Sequence, residues 1–209
     1  MQDSLRPIAD YYTSRIQAHG CTAQGVDWNS PESQRLRFDM LLGIITQPDQ
    51  PFSIDDYGCG YGALYDLLKQ RGWPADYLGF DIAEEMIVAA CARHPGMPGR
   101  FVVGRTSSRT ADYAVMSGIF NVRLACPVDV WERYVIAILD QMHERTLRGF
   151  AFNCLTYYSD PPKRKDYLYY GDPRFFFDLC QRRYSRNVAL RHDYGLFEFT
   201  ILVRKVLLS

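Results

Sequence analysis

Hydrophobic and polar positions change their spacing near residue 50, and the change predicts two kinds of structure. Before it, two stretches carry apolar residues at helical spacing, and the second has Ser30 as N-cap and Pro31 as its first helical residue. After it, short apolar runs alternate with helical stretches, and five strands are predicted at FSIDDYG, DYLGFD, RFVVG, ADYAVMSGIF and GFAFNCL. This alternation predicts a parallel sheet with helices on both faces.

The end of the chain follows a different pattern. After a helix at 172–185, the runs NVALRHDYG and FEFTILVRKV predict two strands joined by a short turn at Gly195. A short turn joins antiparallel neighbours, so the sheet should end in a hairpin. We therefore predict one α/β domain over 1–209, with a helical lid at 1–50 and the sheet core at 51–209.

One stretch, IDDYGCGYGALY, places Gly58, Gly60 and Gly62 between a predicted strand and a predicted helix. Glycines here permit positive φ and let a ligand approach the backbone near a helix N-terminus. Asp81 ends the second strand, where a carboxylate can bind both ribose hydroxyls. The run GCGYGA also fits the dinucleotide motif, but the carboxylate of Asp56 beside it would repel a pyrophosphate.

These features together resemble class I S-adenosylmethionine-dependent methyltransferases. The resemblance rests on the run D-x-G-x-G-x-G, on Asp81 in GFDIAEEMI, on the fourth strand and on the closing hairpin, and it covers roughly residues 52–205. It implies a three-layer αβα sandwich around a seven-stranded, mainly parallel sheet of order 3-2-1-4-5-7-6 with strand 7 antiparallel. It also implies S-adenosyl-L-methionine as the cofactor.

The resemblance implies roles for individual residues. Asp56 would lie near the methionine amino group, Asp81 would hold the ribose, Ile82 would pack on the adenine ring, and Ser117 would offer backbone to the amino-acid end. The turn residues expected at the cofactor are Tyr57, Gly58, Cys59 and Gly60.

The sequence departs from that pattern after strand three. Arg105 cannot accept a hydrogen bond from the adenine amino group, so Thr106, Ser107 or a backbone carbonyl is expected to do so. For the cationic sulfonium, the candidate aromatic faces are Trp28, Tyr61 and Tyr11 or Tyr12.

A substrate cap is predicted at 156–173, which holds five tyrosines and the basic run Lys163–Lys165. This segment follows strand five and should cover the carboxyl edge of the sheet, as should Asn121 and Arg123. The candidate catalytic residues are Tyr157, Asn121 and His192, the last as a general base where the acceptor must lose a proton. A solvated loop or a dimer contact is the alternative for this segment.

Composition narrows the function further. Lys plus Arg and Asp plus Glu both number 24, which disfavours nucleic-acid or membrane partners. The six cysteines form no C-x-x-C pair, and no signal peptide or membrane span is recognisable, so we expect a reduced, cytoplasmic protein without a metal site.

We predict a methyltransferase for a small polar or anionic molecule, methylated at oxygen or nitrogen, that works as a monomer or homodimer. The alternatives are an S-adenosylmethionine-using enzyme that transfers no methyl group, for example by intramolecular cyclisation, an NAD-dependent oxidoreductase, and a non-catalytic binding protein that keeps the fold.

Overall fold

The computed structural model describes residues 5–205; residues 1–4 and 206–209, which the predicted lid and last strand include, lie outside the described residues. The described strands are β1 Phe52–Tyr57, β2 Ala75–Asp81, β3 Phe101–Val103, β4 Ala111–Met116, β5 Thr146–Leu155, β6 Asn187–Arg191 and β7 Glu198–Arg204. The described α-helices are α1 Arg6–His19, α2 Pro31–Leu42, α3 Ala63–Gln70, α4 Glu84–Arg93, α5 Val128–Arg145 and α6 Pro173–Arg183.

The seven strands form one sheet of order 3-2-1-4-5-7-6. Strands β1 to β5 pair in parallel, and β7 runs antiparallel to both β5 and β6. The predicted order and the antiparallel strand 7 are therefore confirmed. Because the chain passes from β1 to β2 on one side and reaches β4 on the other, the carboxyl ends of β1 and β4 flank a topological switch point, where open α/β sheets bind ligands.

Helices cover both faces of the sheet and complete three layers. On one face, buried leucines of α2 and α3, including Leu41 and Leu64, pack around Tyr77 of β2. On the other face, Trp131 of α5 and Phe176 of α6 pack around Phe150 of β5. These apolar layers fix the strand ends on which a site at the sheet edge depends.

The N-terminal segment packs on the rest of the described chain through polar and apolar contacts. The Thr13 hydroxyl of α1 donates to Glu85 of α4 at 2.6 Å. Ser30 caps α2, with its hydroxyl accepting from the Ser33 amide at 3.2 Å, so the predicted N-cap is confirmed. The lid function of 1–50 stays a prediction. No helix within residues 5–205 has the length and apolar character needed to cross a membrane.

Candidate functional site

A cavity lies at the carboxyl edge of the sheet, beside the β1–β4 switch point. It holds about 1000 Å³, including its open mouth. The ends of β1, β2 and β4 form its floor, residues after β3 and on α5 form one side, and α1, α2 and the loop between them form the roof. A recess at this switch point that is lined by apolar residues and a few polar groups is typical of small-molecule and cofactor sites.

The turn after β1 can be made only by glycines. Gly58 has φ 74° and Gly60 has φ 54°, both in the left-handed region. A Cβ on Gly58 would lie 2.2 Å from Ile119 Cγ2, and a Cβ on Gly60 would lie 2.8 Å from Val26 Cγ1. The bare backbone of both residues therefore lines the cavity, and neighbouring side chains close over it.

Asp81 fixes this turn from the end of β2. Its buried carboxylate accepts hydrogen bonds from the backbone amides of Gly60 at 3.0 Å and Ala83 at 2.9 Å. Burial raises the pKa of Asp81 to about 6, although hydrogen bonds from the backbone amides around it oppose the rise. A carboxylate has further lone pairs, so it can still accept hydroxyl donors from the cavity.

Asp56 is the second buried carboxylate at the cavity, with 2% of its surface exposed. It accepts a hydrogen bond from the Tyr77 hydroxyl at 2.7 Å. Burial raises the pKa of Asp56 to about 7, and the nearby charges of Asp81 and Asp55 add to the rise. A cationic ligand group would favour its ionised form.

The end of β4 contributes an unpaired polar atom. The Ser117 hydroxyl oxygen is buried at the cavity and has no hydrogen-bond partner among residues 5–205. A buried hydroxyl without a partner is costly, so this atom is suited to a polar ligand group. The next residue, Gly118, donates its amide to Asn153 Oδ1 at 2.6 Å, which anchors the loop after β4.

Nine of the ten cofactor-site residues predicted from the sequence line this one cavity: Trp28, Asp56, Tyr57, Gly58, Cys59, Gly60, Asp81, Ile82 and Ser117. Thr106, the tenth, is exposed and lies outside the lining. After β3 it is Gly104 and Arg105 that face the cavity. The adenine contact assigned to Thr106 therefore has no support from its position.

The three candidate catalytic residues do not line the cavity. Asn121 is buried, and its side-chain oxygen accepts from the Leu155 amide at 3.1 Å, so it ties the loop after β4 to the end of β5. Tyr157 is 52% exposed. His192 is exposed in the turn after the outermost strand β6, with its ring 5.9 Å from that of Tyr158. Their catalytic roles are without geometric support at this cavity.

The segment 156–173 likewise contributes no residue to the lining. It packs on the loop after β4, where Arg123 donates its amide to Tyr167 O and its guanidinium to Leu168 O. The basic run is engaged locally, since Lys163 pairs with Asp160 at 2.9 Å and Arg164 donates to a backbone carbonyl. Arg123 also fails to reach the cavity, contrary to expectation, because its guanidinium binds carbonyls of both loops.

Several lining residues were not predicted from the sequence. Trp131, Tyr134 and Ile138 share one face of α5, and Gln34 and Phe38 share one face of α2. The Gln34 side chain accepts from the Tyr61 hydroxyl at 3.0 Å. Spacing of three, four or seven residues indicates that such side chains share a face, but not that this face meets a cavity.

Comparison with curated proteins gives one strong match. The chain is 54% identical over 165 residues to "Putative methyltransferase Rv1506c" of Mycobacterium tuberculosis. The match covers 78% of this chain and 99% of the other. A scan against protein-family models gives no match.

Solved structures share the fold. Magnesium protoporphyrin IX methyltransferase from Synechocystis PCC 6803 with bound SAH has a TM-score of 0.65 and 14% identity, covering 98% of this chain and 97% of that chain. Haemonchus contortus phosphoethanolamine N-methyltransferase 1, in complex with phosphoethanolamine and S-adenosylhomocysteine, has the same TM-score and identity and covers 98% and 49%. At this identity the likeness concerns the fold.

Proposed function

The chain belongs to the class I methyltransferases, and from that premise we propose that it transfers a methyl group from S-adenosylmethionine to an oxygen or nitrogen of a small polar or anionic molecule. One observation carries the proposal: the buried carboxylates of Asp56 and Asp81, the bare turn at Gly58 and the unpartnered Ser117 hydroxyl converge on one cavity. These groups fit the cofactor, because it carries an ammonium, a carboxylate, two ribose hydroxyls and an adenine ring.

Each part of the cofactor has a chemically matched group in the cavity. Asp81, at the end of β2, is proposed to accept from the ribose hydroxyls, and Ile82 beside it to pack on the adenine ring. Asp56 is proposed to pair with the amino group, and Ser117 to bond the amino-acid end. Tyr57 and Cys59 complete the turn that keeps these groups in place; the Tyr57 ring stacks on Phe80 with centroids 5.3 Å apart.

S-adenosylmethionine, when bound, supplies a methyl group on a cationic sulfur that an aligned nucleophile displaces in line. The protein contributes positioning and exclusion of water. The aromatic rings of Tyr12 and Trp28 in the roof, and of Tyr61 in the turn after β1, line the cavity and provide faces suited to a cation.

The cavity also limits how an acceptor can be activated. Among residues 5–205, no histidine lines it. We propose an acceptor that binds already deprotonated, as a carboxylate or phenolate, or one that transfers its proton to a cavity carboxylate. Arg105 lines the same cavity and is the proposed partner for a negative group on the acceptor, in place of Lys163–Lys165.

Binding and product analysis test the proposal separately. We expect S-adenosylmethionine and S-adenosylhomocysteine to raise the melting temperature, whereas NAD leaves it unchanged. Stabilisation by NAD alone would contradict the proposal in favour of an oxidoreductase. Incubation with a panel of small phenols, carboxylates and amines should then release S-adenosylhomocysteine; release of methylthioadenosine would identify the non-methylating alternative.

A further inference from the structure

Trp28 is fixed in the wall of the cavity by two different contacts. The guanidinium carbon of Arg37 lies 3.9 Å from the centroid of the Trp28 ring. A Cβ on Gly118 would lie 2.4 Å from Trp28 Cη2, so the indole edge rests on the bare backbone after β4. A ring in contact with a guanidinium and with a glycine has little freedom to move.

Arg37 is in turn part of a buried ion pair. Its Nε lies 2.8 Å from Glu198 Oε2, and the side chains are 6% and 0% exposed. Burial raises the pKa of Glu198, while Arg37 lowers it. The other Glu198 oxygen accepts from Asn153 Nδ2 at 3.4 Å.

These contacts form a closed set that leads back to Trp28. Asn153 Oδ1 accepts from the amide of Gly118, the residue on which Trp28 rests. This closed set of contacts therefore joins the loop before α2, α2 itself and the ends of β4, β5 and β7. Buried ion pairs give little net stability compared with apolar residues of similar size, so stability alone does not account for this one.

The charge of Arg37 matters because of its location. A guanidinium is always protonated, and this one lies directly against a ring that lines the cavity. Without Glu198 it would oppose a cationic ligand. Resting on the proposed function, we propose that Arg37 and Glu198 are positioning residues that hold Trp28 against Gly118 as a charge-neutral wall suited to a sulfonium ligand.

The two forms of the cofactor test this proposal, because S-adenosylmethionine carries a positive sulfur and S-adenosylhomocysteine a neutral one. Affinities for both are measured by calorimetry for the wild type, Glu198→Gln and the double variant Arg37→Met/Glu198→Gln. In Glu198→Gln, we expect the affinity for S-adenosylmethionine to fall about tenfold more than that for S-adenosylhomocysteine. The double variant should return the ratio of affinities to within about threefold of the wild type, since neither charge remains.

An equal loss of both ligands in Glu198→Gln overturns the proposal, since a merely structural role affects both alike. Failure of the wild type to bind either ligand contradicts the proposed function instead. A second measurement covers the case in which Glu198→Gln does not fold. In Arg37→Met the acrylamide quenching of Trp28 fluorescence, obtained by subtracting a Trp28→Phe variant, should increase; unchanged quenching overturns the positioning role.

Discussion

Two loops at the same edge of the sheet, the turn after β1 and the segment 156–173 after β5, differ in how they relate to the cavity. Every residue of the turn from Tyr57 to Tyr61 lines the cavity. The segment after β5 lines none of it and packs on the loop after β4. Both loops are rich in residues associated with ligand sites, yet only the turn after β1 is held at the cavity by the strand that it follows.

The two loops differ in how far apart in the sequence the residues are that fix their positions. The turn is determined by positive φ at Gly58 and Gly60 and by the short distance to β2, all within about 25 residues. The later segment has many possible neighbours, and its basic residues find carbonyls and Asp160 close by. Local backbone chemistry therefore identifies a site better than an enrichment in tyrosine and lysine does.

The largest expected effect is that of Gly58→Ala, which would break the first loop. A methyl group there combines a left-handed backbone with a 2.2 Å approach to Ile119, and should cost about 3 kcal/mol of the free energy of unfolding. Gly72→Ala is the matched control and should cost about 1 kcal/mol. Gly72 has φ 67°, and a Cβ added there would have no atom of residues 5–205 within 4 Å apart from its own chain neighbours. Urea unfolding measures both, and equal losses would show that the tight packing at Gly58 is unimportant.

Asp81→Ala comes next and tests the chemical role of the first loop. Loss of the carboxylate removes the acceptor for Gly60 and the proposed ribose contact, so affinity for S-adenosylmethionine should fall about 100-fold, or ~2.7 kcal/mol. Asp76→Ala, on the same strand but 50% exposed, should leave the affinity unchanged within about twofold. Calorimetry measures the affinity of both variants for S-adenosylmethionine. An unaltered affinity in Asp81→Ala rules out the ribose role.

The strands, the glycine turn and the acidic end of β2 could be predicted from local patterns in the sequence. The sheet order and the nine lining residues followed from the family resemblance that these patterns carry. The sequence did not predict Gln34 or Tyr134, since helical spacing groups side chains on a face without showing what the face meets. It also did not predict the pairing of Arg37 with Glu198, which are 161 residues apart and adjacent only after folding. Long-range partners of this kind have no signature in one sequence.

Over a single pH unit, the ionisation of Asp56 in the cavity should have a smaller effect on the free energy of unfolding, and the sign of that effect is definite. Burial places the pKa of Asp56 at about 7 in the folded protein, above its ordinary value of 3.8, so the folded state keeps a proton that the unfolded chain releases. The free energy of unfolding should therefore decrease as pH rises from about 4 to 7, by up to about 1.4 kcal/mol per pH unit.

Asp56→Asn should remove this contribution. The comparison is cleanest between pH 6 and 7, because Asp81, with a pKa of about 6, releases less of its proton there than between pH 5 and 6. Urea unfolding of both proteins at pH 5, 6 and 7 gives the slopes. Identical slopes of the unfolding free energy against pH would mean that Asp56 is ionised in the folded protein at all three pH values. Its burial would then not raise its pKa.

Tyr157→Ala is expected to have the smallest effect, and it tests the second loop directly. The ring is half exposed and contacts Arg164 and Tyr158 of its own segment, so affinity for S-adenosylmethionine should change by less than about twofold. Tyr12→Phe is the variant to compare with it, because Tyr12 lines the cavity. The next residue, Tyr11, is close to the segment 156–173, with its ring centroid 6.3 Å from that of Tyr167. If Tyr157→Ala lowers the affinity more than Tyr12→Phe does, the segment 156–173 reaches the cavity when ligand is bound, and the distinction between the two loops applies only to the unliganded protein.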